Sequence, residues 1–241
     1  MQIEKIISLP FLTRNVWARA IVPGAAFLLV EVSLFVVFAV VPTEQVMGPV
    51  QRIFYFHVGA AMSAYLMIAV LFVASLFYLA TRKAEWEILG RASAWMGLML
   101  CSIVLVSGMI WGHSAWNTWW RWEPRLVSFL ILWLFLLSYN ILFSFVQGDQ
   151  RQGNYGAVLG ILIAVNVPIV ILSIKFLDHT QQLHPQVIAS QGLASPWFVN
   201  GLILAMVSLM IFSIWVLALK IAALLLEEKL QLIERKTGML R

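Results

Sequence analysis

Six apolar runs, at positions 20–41, 58–80, 92–111, 126–146, 155–174 and 197–219, leave this chain few ways to fold, because each is 20 to 23 residues long. At about 1.5 Å of rise per residue such a run reaches about 30 Å as a helix, enough to cross a hydrocarbon core of roughly 30 Å. Lipid offers no hydrogen bonds, so runs of this length satisfy their backbone internally, as helices. A chain of 241 residues that is 62% hydrophobic and 11% charged is excluded from the soluble globular class. The expectation is an all-α polytopic membrane protein, one membrane domain over residues 1–241 with six transmembrane helices. The first run is too long for a signal-peptide core and no small-x-small cleavage site follows it, so it reads as a retained span.

The basic residues set the orientation. Lys5, Arg14, Arg19, Arg82, Lys83, Arg91, Arg151, Lys220, Lys229, Arg235, Lys236 and Arg241 fall on one side of a six-span chain, and Arg52, Arg121, Arg125 and Lys175 on the other. Twelve against four puts both termini in the cytoplasm by the positive-inside rule. The connections at 111–125 and 175–196 then face outward, toward a periplasm or its equivalent. The net charge of +5 is too small to suggest nucleic acid as a partner.

The outward connection at 111–125 opens with WGHSAWNTWWRWE, which holds Trp111, Trp116, Trp119, Trp120 and Trp122. One or two tryptophans at a membrane boundary are interfacial anchors. Five exceed that need, and so much apolar surface calls for a cover of lipid, partner or flat ligand. All four histidines, His57, His113, His179 and His184, fall on the same outer side. Imidazoles from separate segments, a wall of indoles and a few arginines are the parts a haem needs: axial nitrogens, apolar contact and cations for the propionates. Zinc competes less well, because His179 and His184 lack the spacing that puts two ligands on one helical face. Cys101 is the only cysteine, which excludes a Cys-x-x-Cys-His haem attachment site and an intrachain disulfide.

The run WGHSAWNTWWRWEPRL resembles the tryptophan-rich WWxWD-type segment of the haem-handling proteins of cytochrome c biogenesis. A histidine before it in YFHVGA, another after it in QQLHPQ, and VNVPI in the fifth span narrow the resemblance to the CcmC family. The resemblance implies His57 and His184 as axial ligands to haem iron. It implies a platform of Trp111, Trp116, Trp119, Trp120 and Trp122 with Glu123 beside it, and Arg52 and Arg125 as partners for the propionates. Haem b would be cargo, held on the periplasmic face of a bacterial inner membrane and passed to the haem chaperone CcmE. The ATP-binding cassette subunits CcmA and CcmB and the small membrane protein CcmD would be further partners, alongside membrane lipid. The chain has no catalytic motif and no GxxxxGK sequence, so it is not expected to be an enzyme, and ATP-driven steps would belong to another polypeptide. Haem export through the bundle and a purely structural docking role are the alternatives.

Three positions depart from the family pattern, which commonly has Asp at Glu123, Pro at Gly59 and Gly at Asn117. Elsewhere, Gly59, Ala60, Ala61, Ser63 and Ala64 suit close helix packing. Asn166 with Pro168 suggests a kink in the fifth span. Glu31, in the middle of the first, would face the bundle interior or a partner.

Overall fold

The computed structural model describes residues 16–45, 47–145, 150–175 and 195–237. It is all-helical, and its six long helices are each long and apolar enough to cross a membrane. Helix α1 is Val16–Phe35 and runs on into a wider π-type turn, Val36–Val40. A short 3-10 turn, Pro49–Gln51, leads into α2, Arg52–Thr81, followed by α3, Ala84–Trp116. Helix α4 is Pro124–Phe145, α5 is Gln150–Leu172 with a 3-10 turn Ser173–Lys175 after it, and α6 is Pro196–Thr237. His179 and His184 lie outside the described residues.

Helix α2 is the centre of the bundle, packed against α3, α5 and α6, while α4 joins α3 to α5 and α1 lies on α6. The main core is made by Ala64, Met67, Ile68 and Leu71 of α2, Cys101 of α3, Leu132 and Leu136 of α4 and Ile163 of α5, all essentially buried. Small residues set how closely these helices approach. A Cβ on Gly59 would meet the Leu209 side chain at 2.9 Å and the Ala205 carbonyl oxygen at 3.2 Å, so α2 meets α6 nearly backbone to backbone. Gly160 of α5 is pressed in the same way against Ser75 and Leu71. Three hydroxyls inside the bundle bond to their own helix: Ser63, Ser75 and Ser102 each donate to the carbonyl four residues back, at 2.8 Å.

The helices outrun the apolar stretches that announce them. Helix α2 starts at Arg52, so His57 sits in its second turn and not at a span edge. Helix α3 continues through Trp111 and Trp116, so only the rest of the 111–125 segment connects helices. Hydropathy marks where lipid lies, whereas a helix continues until its backbone turns. For α3 that happens at Asn117, with φ 54°. Helix α5 carries Pro168 without ending there, and Asn166 beside it is buried. Glu31 is exposed on α1. Helix α6 has 42 residues, about 63 Å of helix, twice the roughly 30 Å of a hydrocarbon core.

Candidate functional site

Because α2 and α3 run antiparallel, the first turns of α2 stand beside the last turns of α3. His57 faces that end of α3. Its Nδ1 lies 2.9 Å from Ser107 Oγ, and its ring stands 6.0 Å from the Trp111 ring at 60°. Between these turns, the 117–123 connection and the start of α4, a cleft holds about 820 Å³ of space, open mouth included. Helix α2 contributes His57, Ala61 and Tyr65 to its wall, and α3 contributes Val104, Leu105, Gly108, Met109, Trp111 and Trp116. Trp119, Trp120, Arg121 and Glu123 line it from the connection, and Arg125, Leu126 and Phe129 from α4.

The tryptophans are not equivalent. Trp111 is 3% exposed and belongs to the bundle, wedged against Phe54 at 5.9 Å and Trp116 at 5.7 Å. Trp120 is half-buried and its indole N–H has no partner among the described residues. Trp119 lines the cleft and stacks on His113, rings 4.1 Å apart at 26°. Trp122 is 78% exposed and is not part of the cleft wall.

Glu123 and Asn117 fall where the backbone explains their type. Glu123 is the residue before Pro124, the first of α4. Its carbonyl accepts the Val127 N–H at 2.9 Å, and its side chain is buried. That is a helix N-cap followed by proline, a position Asp fills better than Glu. Asn117 closes α3 in the left-handed region, its N–H on the His113 carbonyl at 2.9 Å. Glycine is favoured there and asparagine is next best. Asn117→Val is therefore expected to lower stability by about 1–2 kcal/mol, read as a lower thermal midpoint in detergent, with Asn117→Gly at or above the wild type.

Arg52 does not line the cleft. Its guanidinium lies 3.4 Å from Thr43 Oγ1 and 5.9 Å from the Phe38 ring centre. Arg121, to which no role was attached from sequence, lines it with Arg125. Ser107, Gly108, Tyr65 and Met109 were also not legible. Ser107 meets His57 across fifty residues of sequence, and no local pattern announces such a pair.

A profile of the family described as Heme exporter protein C, CcmC, matches residues 10–237. The chain belongs to the CcmC family. Among CcmC relatives, Heme exporter protein C of Paracoccus denitrificans is 36% identical over 118 residues, 49% of each chain. That of Bradyrhizobium diazoefficiens is 31% identical over 144 residues, 60% of this chain and 55% of its own. That of Escherichia coli K12 is 28% identical over 171 residues, 69% of this chain and 70% of its own. The chain thus spans about half the length of the first two relatives. The CcmC match covers the whole cleft, from His57 to Phe129.

Proposed function

We propose that this chain binds haem at the cleft beside His57, holds it on the periplasmic face of a bacterial inner membrane with both termini cytoplasmic, and delivers it to the haem chaperone CcmE. The observation that carries the reading is an imidazole in the wall of a cleft lined by indoles and by two arginines, Arg121 and Arg125. A flat apolar macrocycle with anionic propionates is complementary to that lining in shape, polarity and charge. His57 would supply one axial nitrogen and His184 the other. Trp116, Trp119 and Trp120 would cover the ring, with Trp111 behind them, Trp122 at the rim and Glu123 holding the connection in place. Arg125 is favoured for a propionate over Arg52, whose guanidinium is turned to Thr43.

Haem b is the cargo in this reading, so it must be held firmly and yet released. A neutral histidine is a suitable ligand because it can be exchanged for another imidazole without leaving a charge buried in an apolar site. CcmA and CcmB would supply the nucleotide-driven step, with CcmD as a further membrane partner. The name of these relatives, Heme exporter protein C, favours a second reading, export of haem through the bundle. Against it stands the layer of fully buried Met67, Ile68, Leu71, Leu132 and Leu136, which packs α2 and α4 into the core with apolar side chains.

The test is the absorption spectrum of the protein purified in detergent from haem-replete cells. The wild type is expected to carry six-coordinate haem and His184→Ala five-coordinate haem. Arg125→Gln should keep the wild-type coordination with affinity lowered about tenfold, the size of one charge-assisted hydrogen bond. Protein that never carries haem, or haem indifferent to both substitutions, would sink the proposal.

A further inference from the structure

We infer that Ser107 is a positioning residue that fixes the tautomer and direction of His57, so that its Nε2 lone pair is the one presented to a ligand. This rests on the reading of His57 as a haem ligand and assigns a role to a residue outside the tryptophan segment. Ser107 Oγ lies 2.7 Å from the Ile103 carbonyl oxygen. Two oxygens at that distance need a hydrogen between them, and a carbonyl has none to give, so the single hydroxyl proton points at Ile103. The same oxygen is 2.9 Å from His57 Nδ1 and can then only accept. His57 must carry its proton on Nδ1. In a neutral imidazole that leaves Nε2 with the free lone pair, and no described residue donates a hydrogen bond to it.

Gly108, the next residue on α3, completes the arrangement. A Cβ there would lie 3.1 Å from His57 Cε1, the ring carbon between the two nitrogens, so the absence of a side chain leaves the ring room to point past α3 into the cleft. A hydrogen bond to the far ring nitrogen is the usual means by which a metal-binding histidine is oriented and made more basic, and its loss typically costs 10–100-fold in metal affinity. Here the acceptor is a serine whose own proton is already committed to the helix backbone.

The experiment has one arm without haem and one with it. Full-length protein labelled with ¹⁵N-histidine, purified haem-free in detergent, gives the His57 tautomer from its ring nitrogen shifts, assigned by comparison with His57→Ala. The wild type and Ser107→Thr are expected to show the Nδ1–H form, and Ser107→Ala a mixture. Titration with hemin should show Ser107→Ala binding about 10–100-fold more weakly with an altered ligand-field spectrum, Ser107→Thr close to the wild type, and Gly108→Ala weakened through the ring contact. An Nε2–H form in the wild type would overturn the inference. So would hemin binding by Ser107→Ala equal to the wild type while His57→Ala loses coordination, a result that leaves His57 as ligand. Coordination untouched in His57→Ala would overturn the ligand reading itself and the role of Ser107 with it.

Discussion

Replacing His57 by alanine is expected to reduce hemin affinity of the purified protein by at least about 100-fold, the upper end of what loss of a mere outer partner costs. It should convert six-coordinate haem to a form that takes up free imidazole. The second half of that prediction comes from the packing. His57 is held on a helix between Ser107, Gly108 and Trp111, so its truncation leaves a space shaped for an imidazole ring, bounded by groups that do not move to fill it. Millimolar imidazole should therefore restore the six-coordinate spectrum in His57→Ala and do little to the wild type. A wild-type spectrum and affinity in the variant would remove His57 from the site. Binding that is lost but not rescued by imidazole, together with a lowered thermal midpoint, would show that the residue holds the α2–α3 contact and not the ligand.

Gly160→Val is expected to have the largest effect on folding, about 3 kcal/mol or more, because a Cβ at this position already overlaps the Ser75 hydroxyl and lies 3.1 Å from a Leu71 methyl. Leu71 is fully buried and the Ser75 hydroxyl is bonded to the Leu71 carbonyl, so neither neighbour is free to give way. The helices would have to separate, and α2 carries His57 at its other end. The measurement is thermal unfolding in detergent with size-exclusion as a check on aggregation. Gly160→Ala should be intermediate, and Ser75→Ala placed on top of it should recover part of the loss, since that pair shares one small volume. Stability unchanged in Gly160→Val would mean that α5 does not approach α2 as closely as this packing requires.

The helix count was legible because a lipid-crossing helix has a length and polarity that little else in a sequence shares. The ends were not. Trp116 reads as loop because Gly112, His113 and Ser114 interrupt the apolar run after Trp111, yet the backbone stays helical to Trp116. The tryptophan segment and His57 stood out by residue type, and the structure brings His57, Trp111, Trp116, Trp119 and Trp120 to one cleft. Arg52 was drawn from the family resemblance; five residues along a helix turn a side chain well away from its neighbour, and its guanidinium is directed to Thr43 and Phe38. Ser107 and Gly108 look like ordinary small residues of an apolar span. Their meaning exists only once α2 and α3 are side by side.

The length of α6 has a mechanical consequence. Its described rod runs unbroken from Pro196 to Thr237, and at Ala205 and Leu209 it bears closely on Gly59, two residues from His57. An α-helix is stiff along its axis, and a close-packed contact, here the Ala205 carbonyl and the Leu209 side chain on Gly59, leaves little slack to absorb a displacement. A push or twist applied near Thr237 is therefore transmitted along about 48 Å of helix to the turn next to His57, with no flexible joint on the way.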